Sequence, residues 1–163
     1  MSEVVQVQDI TKTYGKKGEK QYQALKGISF DVARGEFVGI MGASGSGKTT
    51  LLNILSTLDQ PTTGNVYING RDITGLNKNQ MADFRGQEIG FIFQDFNLLD
   101  QFNNRDNIFL PLVLSNEKEA VMKDRLSKLK SALGIGELRE KYPYEGSGGQ
   151  KQRIAVARGV ITN

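Results

Sequence analysis

Gly42-Ala43-Ser44-Gly45-Ser46-Gly47-Lys48-Thr49 fits G-x-x-x-x-G-K-S/T in full. At this chain's own composition a chance match is roughly 10⁻⁴ per starting position, or about 2% over the chain. The flanks fit the motif too. Residues 37–41, Phe-Val-Gly-Ile-Met, are short and wholly apolar, as for a strand buried on both faces. Residues 48–58 suit a helix, with Leu51, Leu52, Ile54, Leu55 and Leu58 as its apolar stripe. Strand, glycine loop and helix in that order make an anion site. Glycines let the backbone come close to a phosphate, and the helix start adds partial positive charge. Lys48 is placed to neutralise β and γ phosphates. Thr49 can offer a hydroxyl to Mg²⁺, and Thr50 a second donor to phosphate.

Upstream, Val5 and Val7 alternate with Gln6 and Gln8, so residues 4–10 read as a strand. Residues 15–21 are polar and glycine-flanked, as in an exposed hairpin loop. Residues 25–32 alternate again through Ile28, Phe30 and Val32, and residues 33–36 form a turn. Residues 61–64 read as another turn. Asn69-Gly70 between residues 65–68 and 71–73 is a hairpin signal. Residues 78–85 suit a short helix, and residues 89–93 form a second buried-strand run.

From residue 97 to 144 the pattern becomes helical. Met122, Leu126, Leu129 and Leu133 make one stripe, with Glu119/Lys123 and Asp124/Lys128 as i,i+4 pairs on the wet side. Gly134 and Gly136 punctuate its end. Residues 150–161 are a last helix, with Ile154, Ala157 and Ile161 on one side. The expected architecture is α/β: a phosphate-loop NTPase core, which the resemblance given below implies is incomplete, with an N-terminal antiparallel β part and a helical insert. Its divisions are residues 1–96, 97–145 and 146–163.

Composition sets the outer bounds. The 163 residues are one domain's worth. Apolar residues make up 38% and charged residues 24%, which suits a globular core. The net charge of +3 is spread, +2 over the first 81 residues and +1 over the last 82. That gives little support to a nucleic-acid or anionic-lipid surface. No Cys and no His exclude disulfides, the usual zinc ligand sets and any histidine base. No run approaches the roughly 18–20 apolar residues of a membrane span, and no signal peptide opens the chain. An intracellular domain is the expectation. Glycine, 19 of 163 residues, stands at about 12% against a usual ~7%.

A second glycine cluster, Gly146-Ser147-Gly148-Gly149-Gln150, opens the last helix and is followed by Lys151, Gln152 and Arg153. Ser147 suits an N-cap, and the N–H groups behind it make a second anion site. Here the sequence resembles the ATP-binding cassette family, which carries Leu-Ser-Gly-Gly-Gln at this place. The resemblance runs the whole chain. Tyr14, in Lys-Thr-Tyr-Gly, matches the aromatic residue that stacks on adenine. Gln94, after residues 89–93, matches the glutamine that reaches Mg²⁺ and the attacking water and senses the membrane partner. Residues 94–100, Gln-Asp-Phe-Asn-Leu-Leu-Asp, look most like the subgroup of lipoprotein release, macrolide export and antimicrobial-peptide resistance, leaning to the bacitracin-type transporters. Residues 141–145 fit the same subgroup.

The resemblance implies an ATP- and Mg²⁺-binding subunit of a membrane transporter, cytoplasmic and peripheral at the inner face of the cell membrane. The implied partners are a transmembrane permease and a second nucleotide-binding subunit. The two subunits would sandwich two ATP, with residues 147–150 of one facing the phosphate loop of the other. Cofactor contacts are then Tyr14, Gly42, Ala43, Ser44, Gly45, Ser46, Gly47, Lys48, Thr49, Thr50, Gln94, Ser147, Gly148, Gly149 and Gln150, with Thr49 and Gln94 toward the metal.

Two departures qualify this. Gly146 stands where the family has leucine. The family's next elements are a strand ending in a metal aspartate and a base glutamate, then a further strand and a histidine. They have no counterpart among these 163 residues. No catalytic residue is therefore assigned, turnover above a trace is not expected, and the chain reads as a fragment with an unpaired, association-prone apolar edge. Two alternatives stay open: an inert ATP-binding fragment, and a soluble cassette ATPase acting on nucleic acid or the ribosome.

Overall fold

The computed structural model describes residues 3–16 and 18–162. Lys17, inside the expected 15–21 loop, lies outside them. The chain divides into two compact units, Met1–Asp83 and Phe84–Asn163.

The first unit is built on an antiparallel sheet. Strands β1 (Glu3–Tyr14), β2 (Tyr22–Ala33), β3 (Thr63–Ile68) and β4 (Arg71–Asp72) lie in the order β2-β1-β3-β4. Val7 faces Phe30 on one side and Val66 on the other. A strict period of two from Val5 and Val7 would turn Asp9 inward. A bulge between Val7 and Ile10, with Asp9 at φ 47, inserts one residue instead. Val7 and Ile10 are thereby both buried although three apart, while the Asp9 N–H is taken by Ser29 Oγ at 2.8 Å. The Asn69-Gly70 turn has φ 51 and 75, the two positive values that a type I′ hairpin requires. Helix α1 (Lys48–Leu55) buries Leu51 and Ile54, whereas Leu52 and Leu58 of the expected stripe are exposed. The helix ends at Leu55, so Leu58 falls beyond it.

Helix α2 (Lys78–Glu88) runs through the division between the units. The second unit holds α3 (Asn104–Leu114), α4 (Glu119–Leu133) and α5 (Gly148–Val160). Ile108 and Leu112 of α3, Leu126 of α4 and Ile154, Ala157 and Ile161 form one core with Ile135 and Leu138. Met122, Leu129 and Leu133 pack against it, completing the expected stripe. Each large aliphatic side chain so buried contributes roughly 1.5–3 kcal/mol. The predicted ion pairs form, Lys123–Glu119 at 2.6 Å and Lys128–Asp124 at 2.7 Å, and Gly134 ends α4 in the left-handed conformation. Arg125 donates to Ile161 O and Thr162 O, closing the last turn after α5.

The two apolar runs expected as buried strands are not strands. Residues 37–41 join no ladder, and Phe37 and Met41 are 99% and 92% exposed. Residues 89–93 likewise carry no strand, and Ile92 and Phe93 are exposed. Strand formation needs paired edges for its N–H and C=O groups. Among the described residues the four antiparallel strands pair only with one another, so hydropathy alone does not order these runs.

Candidate functional site

Residues 42–49 form a tight loop entering α1. Gly45 and Gly47 are left-handed, at φ 78 and 93. Gly47 is the N-cap of α1 and lies against β2: a Cβ there would meet Ala24 O at 2.7 Å and Leu25 Cδ2 at 2.8 Å. Conformation and space both require glycine at that point. Ser46 N–H donates to Ala43 O at 3.2 Å, closing the turn. Lys48 folds back over the loop, its Nζ donating to Gly42 O and Ala43 O at 2.7 Å each and approaching Ser46 Oγ at 3.4 Å. Charge-assisted bonds of this kind contribute about 1.5–3 kcal/mol. They hold the ammonium at the centre of the loop's curve.

The ladder of α1 begins with Leu51 N–H to Gly47 O at 2.9 Å. The N–H groups of Lys48, Thr49 and Thr50 therefore have no intrahelical acceptor. One ammonium, the positive end of a helix and an exposed Thr49 hydroxyl fit a phosphate chain with its divalent cation. Mg²⁺ commonly keeps waters and phosphate oxygens and takes few protein ligands.

Tyr14 ends β1 within the same unit. Its hydroxyl donates to Asp59 Oδ2 at 2.8 Å. Lys12 Nζ bonds Asp59 Oδ1 and Gln60 O, each at 2.6 Å, and lies 4.9 Å from the Tyr14 ring centre. The ring is thus fixed at its hydroxyl and accompanied by a cation, while remaining 40% exposed. Burial alone would raise the Asp59 carboxyl. Hydrogen bonds from Lys12, Tyr14 and the Gln60 N–H outweigh it and hold the group below its ordinary value.

Sequence reading missed Lys12 and Asp59, which orient Tyr14. It also missed Tyr22, whose hydroxyl donates to Gly45 O at 3.1 Å. Tyr22 and Ser46 line a groove of about 390 Å³ along residues 22–28. Lys12 opens the Lys-Thr-Tyr-Gly stretch quoted for Tyr14, but Asp59 and Tyr22 belong to no motif. A polar residue adjoining an aromatic, as Lys12 adjoins Tyr14 two places on, is the only trace.

The second unit carries the remaining candidates. Gln94 lies exposed in a turn. Ser147 is the N-cap of α5 as expected: Gln150 N–H donates to its Oγ at 3.3 Å, and Ser147 N–H donates to Gln150 Oε1 at 2.8 Å. This reciprocal box leaves Gly148 and Gly149 as the first helical residues, open on the side a Cβ would occupy. Gly146 lies at φ −96, ψ 150, an ordinary extended conformation, and a Cβ there would make only normal contacts. Nothing in the backbone demands glycine at 146. Arg158, in the last turn of α5, is shifted down from its ordinary value by burial.

Residues 25–163 match the family described as ABC transporter. The chain is 50% identical over 161 residues to the ABC transporter ATP-binding protein YxdL of Bacillus subtilis, covering 99% of this chain and 62% of the relative. It is 46% identical to the bacitracin export ATP-binding protein BceA of Halalkalibacterium halodurans, covering 97% and 62% respectively. Among solved structures it resembles the dimeric structure of MJ0796, a bacterial ABC transporter cassette, with TM-score 0.83 and 37% identity over 98% of this chain and 70% of that one. A second structure of that cassette, titled as a post-hydrolysis state bound to ADP and Pi, gives TM-score 0.82. The chain thus spans less than two thirds of the length of the first relatives it matches.

Proposed function

The chain belongs to the ABC transporter family, and from that premise we propose that it is the ATP-recognising part of a transporter's nucleotide-binding subunit. The observation that carries this is the 42–49 loop, with Lys48 drawn over it by Gly42 O and Ala43 O at 2.7 Å. Lys48 and the free N–H groups at the start of α1 take the β and γ phosphates. Thr49 offers its hydroxyl to Mg²⁺. Tyr14 presents its face to adenine, fixed through Asp59. Gln94 stands where the family's metal-reaching glutamine stands. Residues 147–150 offer a helix start to the γ-phosphate of a nucleotide held by a second subunit. ATP, when bound with Mg²⁺, supplies the phosphoryl group whose transfer drives the cycle.

Within this reading residues 1–96 hold nucleotide, residues 97–145 form the helical insert, and residues 146–163 form the second glycine loop and its helix. The subunit works at the cytoplasmic face with a permease. The export and peptide-resistance systems are favoured by residues 94–100 and by likeness to a relative named for bacitracin export.

Competition between a fluorescent ATP analogue and ATP, ADP or AMP tests it. Affinity falls at least tenfold from ATP to AMP if the phosphate chain is the recognised part. Equal competition by AMP contradicts it. Phosphate release assayed alongside separates binding from hydrolysis.

A further inference from the structure

The backbone that follows Gln94 is held in an uncommon conformation. Phe96 and Asn97 are both left-handed, at φ 62 and 45. L residues adopt that region reluctantly, and two in succession persist only where the surroundings impose them. Arg158 imposes them here. Its Nη2 donates to Phe96 O and its Nη1 to Asn97 O, both at 2.6 Å. The planar guanidinium fork matches two adjacent carbonyls as a single point charge cannot.

Two further contacts fix the same stretch. Gly90 and Gly159 let the backbones meet: a Cβ on Gly90 would overlap the Gly159 carbonyl, and one on Gly159 would meet Phe91 O at 3.2 Å. On the far side Asn107, fully buried, accepts from Leu99 N–H at 2.7 Å and donates to Leu99 O at 2.9 Å. The turn after Gln94 is therefore clamped by α5 at residues 96–97 and by α3 at Leu99.

We propose that Arg158 is a positioning residue for Gln94. The inference rests on the nucleotide-binding reading and extends it. One helix, α5, begins at the Ser147 cap and carries the Arg158 fork in its last turn, about 17 Å further on. Arg158 touches no nucleotide in this scheme; it acts through the Phe96–Asn97 backbone.

Two measurements test this. The first is amide hydrogen exchange at Phe96 and Asn97, whose N–H groups bond Phe93 O at 3.0 Å and Asp95 O at 2.7 Å. In Arg158→Ala and Arg158→Lys both amides exchange at least tenfold faster, while amides in the middle of α4 keep wild-type rates. If Arg158→Ala does not fold, the lysine variant, which keeps charge and length, decides. Wild-type exchange at Phe96 and Asn97 in that folded variant overturns the clamp.

The second measurement is the gain in ATP affinity given by Mg²⁺, compared in wild type, Gln94→Ala, Arg158→Lys and the double variant. Positioning predicts that both single variants lose the same factor and that the double variant loses no more. A purely structural role weakens ATP equally with and without Mg²⁺, and that result overturns the proposal. If wild type binds no ATP, the nucleotide reading fails, and the exchange rates alone then sustain or overturn the clamp.

Discussion

Gly45 and Gly47 occupy the same backbone region but different surroundings, so alanine at each separates conformation from contact. At Gly45, φ 78, a Cβ would meet nothing within 4 Å. Alanine there bears only the left-handed conformation, about 1–2 kcal/mol. That is partly offset by a loss of about 0.4–1 kcal/mol of unfolded-chain freedom. At Gly47, φ 93, the new carbon would also stand 2.7 Å from Ala24 O and 2.8 Å from Leu25 Cδ2. The Leu25 methyl can swing, but Ala24 O belongs to β2 and moves only with the strand. Relieving such overpacking adds about 1–3 kcal/mol. The difference between the two variants is thus roughly 1–3 kcal/mol, or about five- to 150-fold in an opening equilibrium.

Amide exchange at Leu51 reads this locally, because its N–H bonds Gly47 O in the first turn of α1. Gly47→Ala should exchange faster than Gly45→Ala by that factor, with urea unfolding of the whole unit moving in the same order. Equal rates in the two variants would refute the claim that Gly47 is fixed by close approach to β2.

Four further outcomes follow from the same geometry. The Asp59 carboxyl lies below its ordinary value of 3.8, so the folded chain binds that proton more weakly than the unfolded one. Its stabilising contribution is complete above about pH 4 and is lost as pH falls through the folded value; Asp59→Asn should flatten that part of an acid-unfolding curve. Tyr14→Phe keeps the ring and removes the 2.8 Å bond to Asp59, and thermal melting should report a loss of about 0.5–1.5 kcal/mol. Gly146→Ala, at a conformation any residue adopts, should raise stability by about 0.4–1 kcal/mol in urea titration; a loss would mean that glycine is needed there after all. Phe37→Asp replaces a side chain that is 99% exposed, so unfolding free energy should move by no more than about 0.5 kcal/mol. Sedimentation should show less self-association in that variant, since an exposed apolar run is a contact surface.

What the sequence discloses depends on the range of the interaction. The 42–49 loop, the Ser147 cap and the Met122 to Leu133 stripe are local patterns, and each is realised where its spacing places it. Residues 37–41 and 89–93 read as strands because apolarity is all that a short window shows. A strand also needs a partner, and pairing is not encoded within five residues. The bulge at Asp9 is hidden for a similar reason: only the inward placing of both Val7 and Ile10 calls for an extra residue.

The supporting side chains were the least legible. Asp59 lies 45 residues from Tyr14, Tyr22 lies 23 from Gly45, and Arg158 lies 62 from Phe96. No periodicity links such pairs. They come together because β1 pairs with β3 and because α5 lies along residues 90–97. The motif residues could be read one by one, but the groups that hold them in place could not.

The most direct test of the central claim is a calorimetric titration of the chain with ATP and Mg²⁺, repeated on Lys48→Ala. The account predicts saturable binding at one site per chain. The lysine variant should lose at least tenfold in affinity, because the ammonium held by Gly42 O and Ala43 O is the charge proposed to meet the phosphates. Binding of equal strength in the two proteins, or no binding in the wild type, would contradict it.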